Sequence, residues 1–130
     1  AVGADALGEL VASPRCGRGE LRAVLDVLGE RVVADTTGPW QAGEADRLAH
    51  AAVRLLRRNL LLLDEVEGWA ARIGARALRD RPAPAGVNAD AFLRSLYLVL
   101  ALGQEPPPIR ADLVLTLVDF LRELHPDLLG

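Results

Sequence analysis

The stretch EADRLAHAAVRLLRRNLLLLDEVEGWAARIGARALR, residues 44–79, decides the fold. Apolar side chains recur in it at helical spacing, at Leu48, Ala52, Leu55, Leu62, Val66, Trp69 and Ile73. A second row, Ala49, Val53, Leu56, Leu60, Leu63 and Ala70, runs beside the first, so that nearly the whole circumference is apolar around residues 60–63. A helix of that kind is expected to be buried on all sides.

Whether the stretch is one helix or two depends on which signal is weighed. The apolar rows stay in phase across Asn59, and no Gly or Pro intervenes before Gly68. The charges say otherwise. Glu44 and Asp46 precede Arg54, Arg57 and Arg58, and then Asp64, Glu65 and Glu67 precede Arg72, Arg76 and Arg79. Acid early and base late is the order a helix dipole favours, and it occurs twice. Length is a third test: about 36 residues at about 1.5 Å rise would span about 54 Å, whereas a globule of this size, with a radius of gyration of roughly 14 Å, is only about 36 Å across. The stretch therefore bends or breaks near Asn59, or a second subunit covers a protruding end.

Composition sets the fold class. Half of the residues are hydrophobic but few are aromatic, so Leu, Val and Ala must build the core. Leu and Ala, together with Arg and Glu, also favour helix, while the strand formers Ile, Thr, Tyr and Phe are scarce. The expectation is an all-α, five- to six-helix bundle around a long, buried central helix, forming a single domain over residues 1–130. The chain starts without Met and is read as part of a longer one.

Working outward, residues 4–12 read as a short helix stopped by Pro14 and Gly17. Residues 20–29 resume with Leu21, Val24, Leu25 and Leu28 on one face, and Gly29 caps them unless the helix runs on to Val33. Thr37 or Gly38 followed by Pro39 has the chemistry of a helix start, with Trp40 docking on the core. Residues 81–86 read as a proline-bearing linker, and Asn88 as the cap of a helix carrying Phe92, Leu93, Leu96, Tyr97 and Leu100. Pro106, Pro107 and Pro108 are a stiff spacer, Pro108 begins a last helix through Leu113, Leu117, Leu121 and Leu124, and Pro126 ends it.

The net charge of −3 argues against general nucleic-acid binding, which needs a basic face. One cysteine, Cys16, excludes an internal disulfide and fits a reducing, cytoplasmic setting. No signal-peptide pattern is present, and the longest apolar run, residues 96–102, falls far short of the roughly 20 residues that span a bilayer, so no membrane partner is expected.

No catalytic set emerges. Ser95 has no nearby His in sequence and no Gly-x-Ser-x-Gly elbow, and the glycines around Arg18 are too few for a phosphate loop. His50, His125 and Cys16 lack zinc spacing. The carboxylates Asp64, Glu65 and Glu67 lack the Glu-x-x-His of a di-iron bundle and read as a solvated first turn. No cofactor or metal is expected. Cys16, close to Arg15, Arg18 and Arg22, is either a plain loop cysteine or a thiol made reactive by its cationic neighbours.

Two sets of residues remain. Arg72, Arg76 and Arg79 form a basic stripe which, with Trp69 beside it, suits an acidic partner, a phosphate or nucleic acid; the plainer reading of the arginines is dipole compensation at a helix end. Tyr97, Asn59 and His50 are the polar side chains best placed to edge an apolar cavity between helices. The expected function is a non-catalytic protein–protein interaction or regulatory module, binding another protein or a second copy of itself. The alternative is a binder of a small, mostly apolar ligand.

Overall fold

Residues 44–79 form two helices. In the computed structural model, which describes residues 15–129, the order is α1 (Arg18–Val33), α2 (Glu44–Arg57), α3 (Leu63–Arg79), α4 (Pro84–Leu102), α5 (Arg110–Leu124) and a final turn, α6 (Pro126–Leu129). The described residues contain six helices and no strand, an all-α bundle. The helix expected at residues 4–12 lies outside the described residues.

The break falls at Asn59. The N–H groups of Arg58 and Asn59 close the last turn of α2 on Leu55 O and Leu56 O, at 3.1 and 3.0 Å. Asn59 then takes φ 55°, a left-handed conformation that Asn tolerates better than most residues. The charge pattern had marked both helices correctly, each with acid in its first turn and Arg in its last. The apolar rows had not. Leu60, Leu62 and Leu63 are 42%, 59% and 37% exposed, so the link is a solvent-facing strap rather than the centre of the bundle, and only Leu61 of the four leucines packs against the core. Once Asn59 turns the chain, the shared phase of the two rows no longer places them on one surface.

The central element is α4. It packs against α1, α2, α3 and α5, whereas α2 and α3, neighbours in sequence, do not pack on each other. Phe92, Leu93, Leu96 and Leu100 on α4 are fully buried, and the Phe92 ring meets Trp69 of α3 edge to face, with centroids 5.8 Å apart. By length and composition α4 would pass as a membrane span, with a mean hydropathy of 1.3, yet half of that stretch is buried inside the protein, as in a core helix.

Several boundaries differ from the local signals. α1 runs through Gly29 to Val33. α2 starts at Glu44 rather than near Pro39, because Gly43 precedes it at φ 87°. Trp40 does pack against the core. α4 starts at Pro84, four residues before the expected cap; Pro at the first position is pre-set for helix, and Asn88 is thereby drawn into the helix and buried. α5 starts at Arg110 rather than Pro108, and Pro126 opens a further turn after His125 caps α5. Arg57 donates to Gln104 O at 3.0 Å and Glu105 O at 2.7 Å, tying the end of α2 to the proline-rich connection.

Candidate functional site

α1 and α3 lie side by side because one lacks a side chain where the other carries its largest. A Cβ on Gly29 would sit 2.8 Å from Trp69 Nε1, so only glycine admits the indole there. The ring's N–H donates to Leu25 O at 2.9 Å, which satisfies the one polar atom of a residue that is 1% exposed. Trp69 therefore belongs to the core. Its expected place on a partner-binding surface is corrected: a residue on the inward row, facing a glycine, is swallowed by the neighbouring helix, and only its edge contributes to the floor of the cleft above.

That cleft, about 390 Å³ in volume, is the main concavity between the two helices. Residues 69, 72, 73, 76 and 79 recur at helical spacing along one side of α3 and all line it. The half-buried Val33 supplies apolar surface above Ile73 and Trp69, each only 1% exposed, while Arg72, Arg76 and Arg79 line it from α3 and Arg22, Asp26 and Glu30 from α1. The structure thus brings the three expected arginines together and adds a fourth, Arg22, from another helix.

The arginines differ in how firmly they are held. Arg22 bonds Glu65 at 2.6 Å and Asp26 at 3.4 Å, and Glu65 first, then Asp26, raises its guanidinium above the ordinary value. Arg76, 22% exposed, pairs with Asp80 at 2.5 Å and with Asp35. Arg72 and Arg79 are looser, 66% and 70% exposed, with carboxylates at 3.7 Å (Asp26) and 3.4 Å (Asp80). An exposed guanidinium with a distant partner keeps most of its five donors for another carboxylate, and its planar fork binds one through two parallel bonds.

Glu65 locks the end of this arrangement. Its carboxylate accepts the Leu62 N–H at 3.0 Å, bonds Arg22 at 2.6 Å and reaches Arg18 at 2.5 Å. The Leu62 bond holds its pKa below the ordinary value, with Arg22 and Arg18 adding to the effect against partial desolvation. The three acids read as one solvated turn have separate fates: Asp64 is exposed, Glu65 bridges α3 to α1, and Glu67 accepts the Thr116 hydroxyl at 2.8 Å. The Arg22–Asp26 spacing of four was the sequence signal for α1's share of the cleft.

The second expected set is not assembled. Asn59 edges a crevice of about 10 Å³ with Leu55, Leu56, Leu61, Val66 and Ile109, which is scarcely room for one water. Neither Tyr97 nor His50 lines it: Tyr97 is half-buried on α4 and His50 is exposed on α2. Cys16 stands in the loop before α1, as expected, but it is 4% exposed and part of the core, so the reactive-thiol reading is corrected; the Arg58 guanidinium donates to its backbone carbonyl at 2.8 Å. His125 Nε2 lies 2.7 Å from Asp90 Oδ1. Among the described residues no three His, Cys, Asp or Glu side chains are grouped to hold a metal.

Neither a curated protein nor a solved structure matches this chain. One family model does, that described as "Protein of unknown function (DUF2785)", and it matches residues 1–98. The matched region takes in α1, α2, α3 and most of α4, and so every residue that lines the arginine cleft. With well over half of its length matched, the chain belongs to the DUF2785 family.

Proposed function

We propose that this domain is a non-catalytic helical interaction module whose recognition surface is the cleft between α1 and α3, and that its partner presents an acidic segment with interleaved apolar side chains. One observation carries the reading: Arg72 and Arg79, both highly exposed, line the same cleft as the half-buried Val33. Carboxylates of the partner would engage the two guanidiniums while an apolar group covers Val33. The acids already in the cleft, Asp26 and Glu30, set register by repelling a carboxylate placed over α1.

The test is fluorescence anisotropy of a labelled peptide alternating Glu and Leu, against its Lys counterpart. Saturable binding of the acidic peptide that weakens with salt, and is lost in Arg72→Glu/Arg79→Glu, is the expected result. Both positions are exposed on α3, so the double variant keeps its helical circular dichroism. Equal binding of the two peptides, or binding that survives the charge reversal, would overturn the assignment.

A further inference from the structure

A second concavity, about 480 Å³, lies where the end of α4, the proline-rich connection and the start of α5 meet. Its lining is apolar, from Ala101, Pro106, Pro107, Pro108, Ala111 and Val114, apart from Arg110, and none of it is shared with the arginine cleft. The Arg110 guanidinium makes one long bond, 3.5 Å to Ala101 O, and has no carboxylate partner among the described residues. Beyond the rim the apolar surface continues. Leu102, next to Ala101, is 79% exposed, and Leu115, next to Val114, is 66% exposed. Positions 111, 114, 115 and 118 recur at helical spacing on the side of α5 away from the buried Leu113, Leu117 and Leu121, and so form an outward apolar row.

α6 is the complement of this pocket. It buries none of its residues, and Leu128 and Leu129 are 75% and 50% exposed beside Asp127. Asp127 is its one charged residue and pairs with no cation among the described residues. An acidic apolar turn and a basic apolar pocket therefore stand on the same chain, but they cannot meet within it, because α5, 15 residues and about 22 Å long, separates them. Of the ten large apolar side chains exposed among the described residues, five, Leu98, Leu102, Leu115, Leu128 and Leu129, lie on α4, α5 and α6 after residue 97. Apolar surface gathered in this way marks a place of association.

We infer that the chain forms a two-fold dimer in which α5 lies antiparallel to α5 of a second copy and α6 of each copy covers the proline-walled pocket of the other. Leu128 and Leu129 lie over Ala111, Val114 and the prolines, Asp127 pairs with Arg110 across the interface, and Leu115 and Val118 of both copies fill the middle. Of the two ways a helix can face its own copy, only the antiparallel one carries each α6 to the start of the other α5. A second copy is favoured over a foreign protein because this chain carries both the pocket and the turn that matches it in charge and polarity. The pairing uses no residue of the arginine cleft and stands independently of that site.

Sedimentation velocity of the chain over a concentration series tests the pairing, and a monomer–dimer equilibrium is the expected result. Leu128→Asp should weaken it about tenfold or more, the scale of one leucine's burial. Arg110→Asp and Asp127→Arg should each weaken it to a similar degree, because each sets like charges together at both contacts. All three positions are exposed, so the variants keep their helical circular dichroism. Mixing the two charge variants in equal amounts should restore the dimer, since every contact in the mixed pair again joins an aspartate to an arginine. The amides of Leu128 and Leu129, open to solvent in the monomer, should exchange more slowly as the concentration rises. A chain that stays monomeric up to about 1 mM overturns the inference and leaves the face to a different protein. A dimer indifferent to all three substitutions, charge variants that fail to pair when mixed, or species that keep growing with concentration as open head-to-tail chains would overturn it as well.

Discussion

Gly86 and Gly68 show how much of the fold turns on a single carbon. A Cβ on Gly86 would lie 1.8 Å from Asp80 O, a backbone atom held in the tight α3–α4 turn. Gly68, exposed on α3, has no atom within 4 Å of the corresponding point. Gly86→Ala should therefore destabilise by at least the roughly 1–3 kcal/mol of an overpacked core site, whereas Gly68→Ala should stabilise by about 0.5–1 kcal/mol through helix propensity. Urea unfolding midpoints moving in opposite directions check the pair, and movement in the same direction would disprove the close approach. At this scale the sequence was least legible. Asn88 has the preference of a helix cap, yet Pro84 started the helix first and turned that residue into a buried amide holding Trp40. Trp69 was rightly placed on the inward row, but its depth depended on Gly29, forty residues earlier, and nothing in either local pattern couples the two.

Elements were more legible, and charge was the better guide to their ends. Repeated acid-to-base order separated α2 from α3, whereas the apolar periodicity that made each helix recognisable also ran misleadingly across the link. The arginine cleft was half visible for the same reason: its α3 side follows from helical spacing, while its α1 side depends on how the two helices lie together. Glu65 governs that placement, joining the start of α3 to Arg18 and Arg22 of α1. Its pKa is lowered in the folded chain, so its contribution to stability is fully present above its ordinary value near 4.5 and is lost as pH falls through the folded value. Glu65→Gln should consequently be less stable than the parent at pH 7, with the gap narrowing in acid as the parent's own Glu65 protonates. Denaturant titrations at neutral pH and near pH 3 check this, and a gap independent of pH would assign the loss to packing instead of charge.

For the whole molecule, the division at Asn59 removes the geometric argument for a second subunit. α2 and α3, with 14 and 17 residues, are about 21 and 26 Å long and fit within a globule about 36 Å across. Burial is organised by α4 instead, the one helix in contact with α1, α2, α3 and α5. Opening any of those four exposes apolar surface on α4, but α4 itself cannot open without separating all of them. Local unfolding should therefore spare it. α6 is the opposite case: it packs only on α5 and contributes no buried residue. Native-state hydrogen exchange should show the amides of Leu93 and Leu96 exchanging only through global unfolding, with a free energy that tracks the equilibrium value in denaturant. Amides of residues 127–129 should exchange near the unprotected rate, and α1, α2, α3 and α5 should fall between these limits. Protection that is greatest in α2 or α3 would place the cooperative centre on residues 44–79 after all, and α4 would then be a later-docking helix rather than the one on which the others assemble.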